Sequence, residues 1–282
     1  MIQIAIASGK GGTGKTTVAT NLARVLNGTR PVQYVDCDVE EPNGHLFLHP
    51  QITNSQPAGI PVPVIDLDRC TRCGACSQLC QYHAIANLGA TMLVFPELCH
   101  GCGGCLRVCP EQAIQEEERP IGVVEHGTAR GVLFIQGRLN VGETMSPPLI
   151  RAVLQRVDSS VTAIIDAPPG TSCPVLTAVR GADLVLLVTE PTAFGLHDLM
   201  LAVEMVRALQ LPTGIVINRA DMGDDRVECY CATEGLPILG RLPHNRRVAE
   251  AYARGMLAVE AVPDMATSIQ ALANAIFQEV AL

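Results

Sequence analysis

Apolar positions in this chain follow two patterns. Ile2-Gln3-Ile4-Ala5-Ile6 alternates as a strand does, while Val32 to Val35, Thr162 to Ile165, Leu184 to Val188 and Thr213 to Ile217 are short, nearly continuous apolar runs. Between them lie stretches of helical periodicity: Val18, Ala19, Leu22, Ala23, Val25 and Leu26 in one, then Leu196 to Leu209 and Arg246 to Arg254. Strands apolar on both sides and separated by helices predict an α/β fold, a mostly parallel sheet with helices on both faces. Ile121 to Gly142 alternates like a hairpin and is expected to extend the sheet edge, with no chemistry assigned to it.

One stretch breaks the pattern. Pro57, Pro61 and Pro63 lead into it and Glu116-Glu117-Glu118-Arg119-Pro120 leads out, with the acidic run read as a solvated face. The expected organisation is a discontinuous α/β domain over residues 1–60 and 121–282, with a small α+β domain inserted at residues 61–120.

The chain has 282 residues, 17% of them charged, and no apolar run approaches the roughly 18 residues of a membrane span. No basic leader precedes the first strand, so a cytoplasmic protein is expected. A net charge of −8 with no Trp and only 3% aromatic residues speaks against nucleic acid as a partner. Asp264 to Leu282 contains no lysine or arginine, so no amphipathic membrane anchor is expected there. Lysine is nearly absent: of 20 basic residues only Lys10 and Lys15 are lysines.

Both fall in Gly9-Lys10-Gly11-Gly12-Thr13-Gly14-Lys15-Thr16-Thr17, which satisfies G-x-x-x-x-G-K-[ST] between a strand and a helix. Glycines let backbone N–H groups turn toward phosphate oxygens, the helix N-terminus adds its positive end, and Lys15 supplies a point charge. Thr16 is the candidate Mg²⁺ ligand. These residues make ATP with Mg²⁺ the expected ligand.

The extra Lys10 makes the string resemble the deviant Walker A motif of the MinD/ParA/Mrp/NifH group of ATPases. The resemblance implies an ATP-dependent homodimer in which Lys10 reaches the partner subunit's phosphates. Further matches follow in the family's order, each at the end of an apolar strand. Asp36-Cys37-Asp38 looks like switch I, with Asp38 orienting the attacking water and Asp36 nearer Mg²⁺. Asp166-Ala167-Pro168-Pro169-Gly170 looks like switch II, with Asp166 on Mg²⁺ and the Gly170 N–H sensing the γ-phosphate. Asn218 is expected on the adenine edge. Lys10, Lys15 and Asp38 are the catalytic candidates, and Arg138, Arg180 and Arg219 lie near strand ends or turns without a clear claim to an arginine finger.

Eight of the 12 cysteines form a duplicated run. Cys70-x-x-Cys73-x-x-Cys76-x-x-x-Cys80 recurs as Cys99-x-x-Cys102-x-x-Cys105-x-x-x-Cys109-Pro110, the spacing of the bacterial two-cluster ferredoxin. Zinc is the rival ligand, but its structural sites use pairs of C-x-x-C. The ferredoxin resemblance implies two 4Fe-4S clusters, one on Cys70, Cys73, Cys76 and Cys109, the other on Cys99, Cys102, Cys105 and Cys80. Gln81 stands where that pattern usually has proline. His83 and His100 read as surface residues, and Cys37 and Cys173 as small buried packing. Cys229-Tyr230-Cys231 echoes the cysteine pair by which Mrp-like relatives bridge a cluster, but with C-x-C spacing in place of C-x-x-C, so structural cysteines are expected there.

The whole resembles a MinD-superfamily ATPase with an inserted ferredoxin domain. It implies an ATPase that couples dimer rearrangement to electron transfer with a redox partner protein. Alternatives are an ATP-dependent iron–sulfur cluster carrier or assembly factor, and a MinD/ParA-like ATPase that positions a partner.

Overall fold

The computed structural model describes residues 2–280. Met1, at the head of the first strand, and Ala281 and Leu282, at the end of the tail free of lysine and arginine, lie outside the described residues. Among the described residues eleven strands are β1 (Gln3–Ala7), β2 (Val32–Asp36), β3 (Gln51–Ile65), β4 (Ile85–Asn87), β5 (Met92–Val94), β6 (Ile114–Ala129), β7 (Val132–Leu139), β8 (Thr162–Asp166), β9 (Leu184–Thr189), β10 (Thr213–Asn218) and β11 (Ile238–Leu242). Nine form one sheet in the order β11-β10-β9-β1-β8-β2-β7-β6-β3. From β11 to β7 every pairing is parallel, and β6 and β3 add antiparallel strands at one side.

The parallel strands are mostly apolar because both faces are covered. In β1, Ile4 and Ile6 enter one core with Leu22 and Ile269, while Ala5 and Ala7 enter the other with Val175 and Val203. The first core lies under helices Lys15–Leu26 and Pro263–Val280, and the second under helices Pro147–Leu154, Cys173–Val179 and Ala193–Ala208. The C-terminal helix buries Met265, Ile269, Leu272, Ala273 and Ile276 against the sheet. No helix among the described residues is long and apolar enough to cross a membrane.

The hairpin expected over Ile121 to Gly142 is β6 and β7, but it is not the sheet margin. β7 lies beside β2, and β3 is outermost. No strand was expected in that proline-rich stretch; an edge strand tolerates the missing proline N–H groups, since its outward donors need no partner. Pro61 pairs with Glu118 and Pro63 with Glu116, two rungs that leave the acidic side chains exposed. β3 and β6 thus form one ribbon of 15 and 16 residues running from the main sheet to the cysteine segment. The boundaries expected at 60/61 and 120/121 fall within these strands. At the ribbon's far end Cys76, Ile85, Met92 and Ile114 form a separate small core, flanked by the β4–β5 pair and by helices Ala75–Leu79 and Gly104–Val108.

Candidate functional site

β1 ends in the Gly9–Thr17 loop, and the helix that starts at Lys15 holds its N-terminus toward an open cavity of about 1360 Å³. Gly11, Gly12, Gly14, Lys15, Thr16, Thr17, Asp38 and Asn218 line it together with Pro169, Arg219, His244, Asn245 and Tyr252. The loop is built for glycine at two positions. Gly14 has φ 98°, and a Cβ there would stand 2.4 Å from Asn218 Nδ2. A Cβ on Gly9 would strike the Asp198 carbonyl at 2.1 Å.

Lys15 is buried, and Lys10 lies 3.7 Å from Asp198 Oδ2 on helix Ala193–Ala208. Asp198 was not singled out in the sequence, where it is one polar residue in an amphipathic helix. Asn218 reaches the loop, and its Nδ2 donates to the Thr13 carbonyl at 2.8 Å. The Gly170 N–H donates to the Ser8 carbonyl at 3.0 Å, tying the segment after β8 to the loop; the expected phosphate contact requires that bond to open.

β2 and β8 are neighbours, so Asp36 and Asp166 stand side by side at their C-terminal ends. Both are fully buried, and burial together with mutual repulsion raises the Asp36 pKa well above the carboxylate range. Asp36 accepts from the Asp38, Asn43 and Gly44 N–H groups at 3.1, 3.2 and 3.0 Å, which makes it the organiser of the loop after β2. Asp166 accepts from the Tyr34 hydroxyl at 2.8 Å through Oδ2, and its buried Oδ1 has no hydrogen-bond partner among the described residues. Burial raises its pKa against Lys15, Thr16 and Tyr34, which lower it. Asp38 is pushed up to about 6, by burial and by Asp166, against the pull of Lys15. Tyr34 was missed because a tyrosine within a mostly apolar strand reads as core.

Of the three arginines considered, Arg219 lines the cavity and pairs with Glu190 at 2.8 Å. Arg138 pairs with Glu125 on the β6–β7 hairpin, and Arg180 follows helix Cys173–Val179 at an exposed position.

The cysteine segment holds two cavities. Cys70, Cys73, Cys76 and Cys109 line one of about 330 Å³. Cys80, Cys99, Cys102 and Cys105 line the other, of about 550 Å³, with Cys76 in the shared wall. Backbone N–H groups of Arg72, Gly101 and Ala113 donate to the sulfurs of Cys70, Cys99 and Cys109 at 3.4, 3.4 and 3.3 Å. Burial pushes the Cys105 thiol up to about 11. Among the described residues no three side chains converge on a single ion. His83 and His100 are exposed, and His100 stacks on Tyr82 at 3.5 Å. Cys37 is buried, but Cys173 is exposed at the first position of its helix, contrary to the packing role expected. On helix Arg226–Glu234, Cys229 is exposed and Cys231 buried, so the pair faces two environments.

The family model of the CobQ/CobB/MinD/ParA nucleotide binding domain matches residues 4–259. An uncharacterized protein of Methanocaldococcus jannaschii is 34% identical over 227 residues, 79% of this chain and 80% of that protein. An iron-sulfur cluster carrier protein of Pyrococcus horikoshii is 31% identical over 108 residues, 33% of this chain and 37% of its own. The septum site-determining protein MinD of P. horikoshii, solved with Mg-ADP, superposes with a TM-score of 0.63 at 20% identity, covering 98% of this chain and 95% of that one. That last likeness is one of fold.

Proposed function

Because the chain belongs to the CobQ/CobB/MinD/ParA nucleotide-binding family, we propose that it is an Mg-ATP-dependent ATPase that handles iron–sulfur clusters for an acceptor protein. One observation carries this reading. The eight cysteines divide between two cavities in the same quartets that a two-cluster ferredoxin uses, each receiving backbone N–H groups at sulfur. The partial relative named as an iron-sulfur cluster carrier supports the use of those clusters as cargo.

At the nucleotide, the loop N–H groups and Lys15 hold the phosphates. Thr16 and Asp166 would hold Mg²⁺, which supplies neutralisation of β- and γ-phosphate charge, and the orphaned Asp166 Oδ1 fits that role. Asp38, ionised above pH of about 6, orients water and accepts its proton. Lys10, once released from Asp198, reaches the phosphates of the partner subunit in an ATP-dependent homodimer. Asn218 keeps the loop in shape and borders the base end of the cavity.

A second reading, electron transfer through two resident clusters, draws on the wall that the two cavities share at Cys76, which would put the clusters within one hop. One experiment separates the two. Anaerobically prepared protein with about eight iron per chain is mixed with an apo-acceptor, with and without Mg-ATP. ATP-dependent loss of iron to the acceptor supports delivery; retained iron with reduction of an oxidised acceptor supports electron transfer. Colourless protein that ignores ATP overturns both.

A further inference from the structure

The two copies of the cysteine motif share one backbone, so equivalent positions in them are directly comparable. Arg72 and Gly101 have φ of 60° and 63°, Gly74 and Gly103 of 80° and 66°, and His83 and Gln112 of 54° and 49°. The closing turns match as well: the His83 N–H donates to the Cys80 carbonyl and the Gln112 N–H to the Cys109 carbonyl, both at 3.2 Å. Each quartet also has one buried, one exposed and two half-buried cysteines. Burial of the cysteines therefore does not set one quartet apart from the other.

The rims do. Directly after the first cysteine of each copy stands Thr71 or His100, and two residues past the fourth stands Tyr82 or Glu111. Because the fourth cysteines cross over, Thr71 and Glu111 border the first cavity, and His100 and Tyr82 border the second. Tyr82 and His100 stack with ring centroids 3.5 Å apart and planes 10° from parallel, and both are exposed. Lining the cavity and meeting solvent at once, the stacked rings stand between the second quartet and water. They also tie the turn after Cys80 to the Cys99–Cys102 loop, the two segments this quartet has to hold together. At the first mouth the exposed Thr71 and Glu111 offer a hydroxyl and a carboxylate, which bring water to the rim and have no ring to close it.

The ribbon adds to the difference. Pro61, Pro63 and Glu116 wall the second cavity, and Gly101 rests so near β3 that a Cβ there would lie 3.2 Å from Pro61 Cδ. The first cavity meets the ribbon only at its last rung, Ile65 with Ile114.

We propose that the Tyr82–His100 stack is a cover that keeps the second cluster resident, and that the first quartet, which has no such cover, is the one that gives up cargo to the acceptor. The inference deepens the iron–sulfur reading above and rests on it. Release at the first quartet is ligand exchange. Acceptor thiols lose their protons and bind iron as thiolates, Cys70, Cys73, Cys76 and Cys109 take up protons as they let go, and no electron moves. At the second quartet the two rings must separate before the same exchange can begin.

The test is iron release from the anaerobic, iron-loaded full chain to bathophenanthroline disulfonate, an Fe(II) chelator, followed by absorbance, with EPR of the dithionite-reduced protein to identify the cluster that remains. Wild type is expected to release about four iron quickly and about four slowly. Tyr82→Ala should speed the slow phase alone, by about two- to tenfold, the worth of an aromatic pair, and Tyr82→Phe should restore it. The double variant Thr71→His, Glu111→Tyr, which carries the pair across to the first mouth, should slow the fast phase. Delivery to an apo-acceptor in Mg-ATP should stop at about four iron per chain. Release of about eight iron in one phase, or a slow phase untouched by Tyr82→Ala, overturns the proposal and leaves the iron–sulfur reading standing; wild type without iron overturns both. If Tyr82→Ala purifies short of iron, EPR should show the second cluster missing, and loss of the first counts against the cover.

Discussion

Lys10 Nζ stands 3.7 Å from Asp198 Oδ2, so the additional lysine of the phosphate loop is held by a helix of its own chain. Both side chains are partly exposed, which limits the pair to about 0.2–1 kcal/mol. A lysine meant for the phosphates of a second subunit must leave this carboxylate first. Asp198→Asn should therefore tighten ATP-dependent dimerisation by up to about fivefold, as measured by sedimentation equilibrium, and Lys10→Ala should abolish it. Equal dimerisation by Asp198→Asn and wild type would count against the role given to this pair.

Hydrolysis should depend on the state of Asp38. With a pKa raised to about 6, its ionised form is lost as pH falls through that value, and the rate at saturating Mg-ATP should drop about tenfold per unit below it. The stability effect has the opposite sense. The folded chain binds this proton more tightly than the unfolded one, so the contribution is full below pH of about 4 and gone above about 6. Asp38→Asn should stabilise the nucleotide-free protein at pH 7, on the order of 1–2 kcal/mol after solvent screening, while removing turnover. Urea unfolding at pH 4 and 7 checks the sign.

Tyr34 joins the two acidic strand ends. Its ring stacks on Phe134 at 5.7 Å, and its hydroxyl is the hydrogen-bond donor to Asp166 Oδ2. A Cβ on Gly44 would stand 2.3 Å from that hydroxyl, so the loop after β2 closes over it. Tyr34→Phe keeps the ring but strips a buried carboxylate of its donor, a loss of about 1–3 kcal/mol. Chemical denaturation should show this as a lower midpoint with unchanged slope.

The quartets make a crossed prediction. Cys109→Ala should remove the cluster of Cys70, Cys73 and Cys76, and Cys80→Ala that of Cys99, Cys102 and Cys105, although each lies nearer in sequence to the other set. Iron should fall from about eight to about four per chain in either variant. Cys229→Ala should leave it unchanged. Iron analysis with EPR of the remaining cluster distinguishes this from pairing by sequence neighbourhood.

The five central strands and the phosphate loop were legible because burial on both faces leaves an unbroken apolar signature, and because the loop chemistry admits few substitutes at Gly9, Gly14 and Lys15. The duplicated cysteine run was legible from its spacing, and the quartets that the ferredoxin resemblance implies line two neighbouring cavities, with Cys76 bordering both. β3 was not: an edge strand has no need of apolar alternation, and its prolines argue locally for a boundary. Asp198 and Tyr34 escaped for a different reason, since each acquires its role from a partner more than 100 residues distant. Cys173 was misjudged because proximity in sequence to a buried strand says nothing about the exposed start of the following helix.

The ribbon has a consequence for how such a chain can be assembled. Gly59 and Pro120 are cross-strand partners, so everything between them departs and returns through adjacent rungs. A short turn could splice those rungs together and leave the parent sheet a closed hairpin. The cysteine segment then behaves as a cassette on a stalk, one that can be excised, exchanged or grafted onto another sheet of the same hand without re-engineering the engine beneath it.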